Sequence, residues 1–287
     1  MLPEFDYVVP SNLPQACDFL WDYASQTKII AGGTDLVLSL HRGEVKPRFL
    51  LDISALKELQ QIEETSGKIR IGAACTHTQV AESPLLKSYG GILSEAASWV
   101  GSRQIRSLGT VGGNIANASP AADTLPALMT LNAQIVIISK NRQRILTLPE
   151  IVKGPYQTHL GAEELISFVT VDKIPERAWY RFFRITRRKA MATARINGAL
   201  ILWRRDRKGP IEEIRISIGS MTPIPCRMLE SEDLLRGTLP SEGLIEQACS
   251  SIGQAVVGSS GIRKSTEYKL PVVQTLVKRA IQDALGE

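Results

Sequence analysis

The spacing of apolar and polar positions predicts a mixture of helices and short strands in the first half of the chain. Leu13 to Tyr23 has the 3.6-residue spacing of an amphipathic helix. Helical spacing returns in residues 78–89 and 92–100. Short apolar runs predict four buried strands: Lys28 to Ala31, Phe49 to Ile53, Ile69 to Ala73 and Ile135 to Ser139.

The pattern changes near residue 175. Beyond Pro175, two segments predict strands, Gly198 to Arg204 and Ile211 to Gly219, which look like an antiparallel pair joined by the polar turn at residues 206–210. Three helical patterns follow at residues 229–236, 244–257 and 270–285. We therefore expect two domains, residues 1–175 and 176–287.

Composition favours a soluble globular protein, with 44% hydrophobic and 22% charged residues. No run approaches the roughly 18 apolar residues that a membrane span needs. The first residues lack the basic start and apolar run of a signal peptide, so we expect a cytoplasmic protein.

The cysteines and histidines do not form a metal-binding pattern. The four cysteines, Cys17, Cys75, Cys226 and Cys249, are widely separated and form no CxxC pair. The three histidines show no HExxH or comparable spacing. Any redox chemistry of this chain must therefore come from a bound cofactor.

Charge is unevenly distributed. Residues 1–175 carry a net charge of −2 and residues 176–287 carry +7, with basic clusters at Arg184 to Lys189 and Arg204 to Lys208. Nucleic acid binding is disfavoured because no aromatic stacking platform or recognition motif accompanies these clusters. A solvated face and an acidic partner remain open.

Two glycine loops about eighty residues apart are the most informative feature. The first, Ala31 to Asp35, directly follows a predicted strand, and the second is Gly109 to Asn114. Paired glycines allow successive backbone N–H groups to point into one concavity, which suits a pyrophosphate. Neither loop fits GxGxxG, so a Rossmann site is disfavoured, and Arg263 replaces the second glycine of a P-loop before Lys264-Ser265.

Together the loops resemble the FAD-binding (medium) subunits of molybdenum hydroxylases, the family of xanthine dehydrogenases, aldehyde oxidases and carbon monoxide dehydrogenase. The bacterial xanthine dehydrogenase FAD-binding subunit looks most similar. The matching segments are 28–35 (KIIAGGTD), 51–54 (LDIS) with Leu59 and Ile62, 69–73 (IRIGA), 104–123 (QIRSLGTVGGNIANASPAAD), 187–191, 217–227 and 265–270.

The resemblance implies an α+β fold: an FAD-binding PCMH/VAO-type module of two α/β subdomains, then a C-terminal domain with a three-stranded antiparallel sheet and a helix bundle. It implies non-covalent FAD, held mainly around the pyrophosphate by both loops. It assigns cofactor contacts to Lys28, Ile29, Ile30, Ala31, Gly32, Gly33, Thr34, Asp35, Val100, Thr110, Val111, Gly112, Gly113, Asn114, Asn117, Asp123, Leu165, Ile166 and Arg184.

Some of these assignments have a simpler interpretation or depart from the family pattern. Without the resemblance, Leu165 and Ile166 would be interpreted as strand core. Some relatives have an aromatic residue in place of Val100, and the family commonly has an acidic residue in place of Ala192. These departures leave the electron acceptor harder to assign.

The resemblance also implies partners. An iron–sulfur subunit would pass electrons to FAD on this chain, a molybdopterin-binding large subunit would carry out hydroxylation, and NAD is the expected acceptor. No catalytic side chain and no metal ligand is expected here. Two alternatives are a stand-alone flavoenzyme, such as a UDP-N-acetylenolpyruvoylglucosamine reductase, and a flavin-free scaffold subunit.

Overall fold

The computed structural model describes residues 3–188 and 192–286; residues 189–191, part of one matching segment, lie outside them. The chain begins with a parallel three-stranded sheet in the order β1-β3-β2. Its elements are β1 (Asp6–Val8), α1 (Leu13–Tyr23), β2 (Thr27–Ile30), α2 (Leu36–His41) and β3 (Phe49–Asp52). Helix α1 has the predicted bounds: Asn12 caps its first turn, and Ala16, Cys17 and Leu20 are buried.

A five-stranded antiparallel sheet follows, in the order β4-β5-β10-β6-β7. Its strands are β4 (Ile62–Thr65), β5 (Lys68–Gly72), β6 (Gln134–Ile138), β7 (Gln143–Thr147) and β10 (Leu165–Asp172), and β8 (Val152–Gly154) pairs separately with β9 (Gln157–Thr158). The predicted strands at 69–73 and 135–139 are therefore confirmed within one residue.

Besides α1 and α2, seven short helices lie in the described part of the first half: α3 (His77–Glu82), α4 (Pro84–Tyr89), α5 (Gly91–Ser98), α6 (Arg103–Leu108), α7 (Val111–Asn117), α8 (Thr124–Thr130) and α9 (Leu148–Ile151). The prediction of one helix over residues 78–89 is wrong. Ser83 has ψ 120° before Pro84, since proline disfavours a helical preceding residue, and its hydroxyl caps α4.

The second half forms an antiparallel sheet covered by helices. Its elements are β11 (Trp179–Ile185), β12 (Ile196–Arg204), β13 (Ile211–Gly219), β14 (Cys226–Arg227), α10 (Leu229–Leu235), α11 (Glu242–Ser260) and α12 (Thr266–Leu285). The sheet has three long strands in the order β11-β12-β13, and the two-residue β14 adds a fourth at its edge. The predicted α+β class is confirmed.

The hydrophobic interior crosses the expected boundary between the halves. One cluster, including Leu20, Leu51 and Leu59, lies beneath the parallel sheet, and another fills the space between β11–β13 and helices α10–α12. The largest cluster joins the five-stranded sheet to side chains of β11 and β12, including Phe182 and Ile201. No helix of the described residues is long and apolar enough to cross a membrane.

Candidate cofactor site

A cleft of about 800 Å³ lies between the first glycine loop and the segment that carries the second, within the usual range for small-molecule sites. Its lining includes thirteen of the nineteen predicted contact residues: Lys28, Ile29, Ile30, Ala31, Gly32, Gly33, Thr34, Asp35, Val100, Thr110, Gly113, Asn114 and Asn117. Other residues that line it are Leu36, Leu38, Ser39, Arg42, Glu44, Val45, His77, Ile105, Gly109, Ala116 and Tyr156.

The first glycine loop follows β2 and packs directly on the second. A Cβ on Gly32 would lie 1.9 Å from the carbonyl oxygen of Leu108, so only glycine permits this approach of the two backbones. Gly33 has φ +67°, in the left-handed region that glycine favours. The Gly-Gly pair therefore reverses the chain and also joins the two sides of the cleft.

The first loop offers free hydrogen-bond donors to this cleft. Within the described residues, the backbone amides of Gly32 through Asp35 donate to no other group of the chain. Asp35 precedes α2 without capping it by its side chain, and burial raises the pKa of its carboxyl. Adjacent unpaired amides of this kind fit a phosphate group.

The second glycine segment forms the start of helix α7. Our interpretation that its paired glycines present free backbone amides to the cleft is therefore wrong. Thr110 caps α7 by accepting a hydrogen bond from Gly113 N at 3.1 Å. The amides of Val111 and Gly112 donate to Cys75 and Ala73. The amides of residues 111–114 are therefore satisfied within the chain, and this side contributes mainly side chains and shape.

Segment 73–77, which links β5 to α3, holds the second loop in place. The contacts are an isolated bridge between Thr76 and Thr110, and hydrogen bonds from His77 N to Gly109 O, Val111 N to Cys75 O and Gly112 N to Ala73 O, each between 2.9 and 3.0 Å. Asn114 donates to Thr124 Oγ1 at 2.6 Å. The wall of the cleft is therefore tied to the five-stranded sheet and to α8.

His77 is a site residue that the sequence analysis missed. Its side chain lines the cleft while the residue is only 3% exposed, and its Nδ1 has no hydrogen-bond partner among the described residues. Burial, reinforced by the positive charge of Arg106, lowers its pKa to about 4. The sequence carries no signal for this role, because a lone histidine without metal spacing is uninformative.

Asp123 and Arg184 lie away from the lining of the cleft and pair with each other across the two halves of the chain. Arg184 Nη1 lies 3.3 Å from Asp123 Oδ2 and donates to the carbonyl of Trp99, while Nη2 donates to the carbonyl of Ala192. Asn197 donates to Asp123 Oδ1 at 3.2 Å. Burial raises the pKa of Asp123 to about 6, although Arg184 and Asn197 act in the opposite direction.

The remaining predicted residues are core positions in this structure. Leu165 and Ile166 are 2% and 5% exposed at the start of β10, in two different apolar clusters. Val111 is fully buried, and Gly112 packs against Ala73. Flavin contact by these four residues stays a prediction. Val100 lines the cleft beside Ile105, so an apolar surface is retained where some relatives have an aromatic residue.

These features fit a dinucleotide with an anionic centre. The cleft has the required scale, the first loop presents free amides in its lining, and the ring of His77 also lines it. The chain's own groups provide binding and orientation, and no described His, Cys, Asp or Glu cluster could hold a metal ion.

Comparison with known proteins agrees with this fit. Residues 3–174 match the FAD binding domain in molybdopterin dehydrogenase, and residues 181–284 match the CO dehydrogenase flavoprotein C-terminal domain. The chain superimposes on carbon monoxide dehydrogenase from Hydrogenophaga pseudoflava with a TM-score of 0.91 at 24% identity, over 100% of this chain and 99% of that one. That likeness concerns the fold.

Two relatives are similar in sequence over nearly their whole length. The nicotinate dehydrogenase FAD-subunit of Eubacterium barkeri is 31% identical over 100% of this chain and 98% of its own. The putative xanthine dehydrogenase FAD-binding subunit of Escherichia coli K12 is 31% identical over 96% and 94%. On the family matches and these identities, the chain belongs to the FAD-binding medium subunits of the molybdenum hydroxylase family.

Proposed function

We propose that this oxidoreductase subunit binds FAD non-covalently in the cleft between the glycine loops. The observation that carries the proposal is the set of free amides from Gly32 to Asp35 at one side of an 800 Å³ cleft. These amides would hold the pyrophosphate, with Thr34 and Asn117 next to them in the lining. When bound, FAD supplies redox chemistry that the side chains of the chain lack.

The side chains and backbone of the protein bind the cofactor, orient it and shield it from water. Apolar side chains of Ile30, Val100 and Ile105 line the cleft and limit water around a planar group, while Arg42 and Lys28 add positive charge. The contacts that the family resemblance assigns to Asp123, Leu165, Ile166 and Arg184 belong to this proposal. They require the cofactor to extend beyond the cleft toward β10 and β11.

We further propose that the chain accepts electrons from iron–sulfur clusters on a partner subunit of a cytoplasmic complex and delivers them to NAD. A separate molybdopterin-binding subunit would hydroxylate the substrate. The names of two relatives support an assembly, a 6-hydroxypseudooxynicotine dehydrogenase complex subunit alpha and a nicotine 6-hydroxylase medium subunit, both from Paenarthrobacter nicotinovorans. The scattered cysteines are consistent with clusters on another chain.

For the whole complex we propose a xanthine dehydrogenase activity. Two xanthine dehydrogenase FAD-binding subunits, each 31% identical to this chain, support this choice. Relatives named for nicotinate, caffeine and carbon monoxide are 31%, 32% and 25% identical to this chain. The choice of substrate therefore depends on the names of relatives and not on residues of this chain, because the substrate pocket would lie on another polypeptide.

The first experiment is the visible absorption spectrum of the purified full chain, with the cofactor released by heat and identified by chromatography. We expect flavin absorption without an iron–sulfur shoulder, and FAD as the released compound. Ala116→Trp, at an exposed position in the lining of the cleft, should lose FAD without loss of fold. Absence of flavin after incubation with FAD and partner subunits would support the scaffold alternative.

The second experiment tests the substrate and the acceptor on the assembled complex. Xanthine should reduce the complex and NAD should reoxidise it, both followed by absorbance in stopped flow. Nicotinate and caffeine serve as competing substrates, and oxygen as the competing acceptor. If nicotinate reduces the complex and xanthine does not, the xanthine assignment is rejected, while the family and its cofactor are unaffected. If the isolated chain reduces a sugar nucleotide with a reduced nicotinamide cofactor, the result would instead favour the stand-alone enzyme.

A further inference from the structure

His77 stands at the junction of the two glycine loops. Its backbone amide donates to Gly109 O, and an added Cβ on Gly109 would meet the His77 ring at 3.3 Å and the Thr34 hydroxyl at 3.4 Å. The imidazole therefore lies on the same side of Gly109 as a residue of the anion-binding loop. This places the ring near Thr34, one of the residues whose backbone amide is free.

The hydrogen bonding of this ring is incomplete within the protein. A neutral imidazole has one donor and one acceptor nitrogen, and Nδ1 of His77 is buried without a partner among the described residues. Buried polar atoms of side chains are rarely left unpaired, and an exception calls for an explanation. With Nδ1 buried, Nε2 is the ring nitrogen available to the cleft that the residue lines.

The protonation state suits a hydrogen-bond donor to an anion. The lowered pKa, about 4, keeps the ring neutral at pH 7, so one nitrogen carries a proton without a buried positive charge. A proton on Nδ1 would be a buried donor without a partner, which is the costlier arrangement. The tautomer with the proton on Nε2 is therefore favoured and directs a donor at the cleft.

We propose that His77 is a cofactor-binding residue whose Nε2–H donates a hydrogen bond to a pyrophosphate oxygen of the dinucleotide held by the first glycine loop. The inference rests on the proposal that FAD occupies this cleft. It adds a side-chain donor to the backbone amides. The cofactor would supply the partner of Nε2, while Nδ1 stays a buried acceptor without a partner among the described residues.

The test compares His77→Leu and His77→Gln in the full chain, with FAD affinity measured from flavin fluorescence. Leucine removes the donor, and a hydrogen bond to a charged group predicts roughly tenfold weaker binding. Glutamine places an amide N–H near the position of Nε2 and should recover most of the affinity. His159→Leu, at an exposed histidine outside the lining, is the matched control and should leave affinity unchanged.

Two readouts separate a binding role from a structural one. Thermal unfolding of the FAD-free His77→Leu chain should occur at the same or a higher temperature, because an unpaired buried nitrogen is removed. In the wild-type chain labelled with ¹⁵N-histidine, one of only three imidazole signals should shift when FAD or ADP is added, and that signal should be absent from the His77→Leu chain.

The outcomes distinguish this inference from the proposed function. If Ala116→Trp abolishes FAD binding while His77→Leu binds normally, the cleft is the cofactor site and the role of His77 is rejected. If neither variant changes FAD affinity, the cofactor lies elsewhere and both proposals are overturned. A large loss of stability in FAD-free His77→Leu, with no imidazole shift on adding FAD, would also reject a binding role.

Discussion

At the scale of single residues, two adjacent glycines serve different purposes. Gly33 is needed for its positive φ, whereas Gly32 is needed because the backbone of Leu108 occupies the space of a side chain. The second requirement involves residues more than seventy positions apart. Sequence identifies both glycines, and only the folded chain separates their roles.

We expect Gly32→Ala to destabilise the chain and to lose FAD. The new Cβ would lie 1.9 Å from Leu108 O, so the two loops must separate at a cost of roughly 1–3 kcal/mol. Urea unfolding and the flavin content of the purified chain measure the two effects. Gly154→Ala is the control, because nothing lies within 4 Å of its Cβ position. Normal stability and normal flavin content in Gly32→Ala would contradict the observed loop contact.

At the scale of elements, the N-terminus of α8 is joined to β11 and β12 by the Asp123, Arg184 and Asn197 network. Asp123 precedes α8, yet its carboxylate makes no capping bond and pairs with Arg184 instead. Both side chains are at least nine-tenths buried. Such a pair contributes little over apolar packing, but removal of one partner leaves an uncompensated charge.

Arg184→Met should therefore destabilise the FAD-free chain at pH 7.5 by about 3 kcal/mol. The raised pKa of Asp123, about 6, means that folding favours the protonated carboxyl between its ordinary pKa and 6. Without Arg184 the folded pKa rises further, so the difference from wild type should shrink as the pH falls from 7.5 toward 6 and stay nearly constant below 6. Chemical denaturation at pH 7.5 and pH 5 measures this.

Arg181→Met provides the control for that experiment. Arg181 lies on the same strand, and its ion pair with Asp283 is about half exposed, so the loss should stay below ~1 kcal/mol. If Arg184→Met lowers the free energy of unfolding equally at both pH values, the stabilising effect of Arg184 comes from its hydrogen bonds to Trp99 and Ala192 and not from its pairing with Asp123. The proposed flavin contact of Arg184 is a separate question, because this comparison is made without FAD.

At the scale of the whole molecule, β11 connects two hydrophobic interiors. Phe182 points into the cluster shared with the five-stranded sheet, and the next residue, Phe183, points into the cluster under α10 to α12. Both are nearly buried. The halves that match two family models therefore share packing, and the domain division near residue 175 stays a prediction.

We expect the FAD-free chain to unfold in a single calorimetric transition. Phe182→Ala and Phe183→Ala should each move that single transition to a lower temperature. Each should lower the free energy of unfolding by about 3–5 kcal/mol, because each leaves a cavity in a shared structure. Leu239→Ala, at an exposed position, should stay within ~0.5 kcal/mol of wild type. Two separate transitions, with each phenylalanine variant moving only one of them, would show independent domains.

The sequence by itself determined the regular elements with strong local patterns, such as α1, β6 and the antiparallel pair β12 and β13. It missed α6, α8 and the three short strands β7, β8 and β9, because short elements carry too few residues for a clear period. Pro84 divided a predicted helix, since the residue before proline avoids the helical region.

For the site, the sequence determined which residues carry the family motifs, and the tertiary structure decided what each one does. Local sequence cannot show that segment 73–77 accepts from the amides of Val111 and Gly112, or that His77 reaches the cleft. It also cannot show that Asp123 meets Arg184. These are contacts between residues distant in the chain, and their energies depend on burial and on partners that exist only after folding.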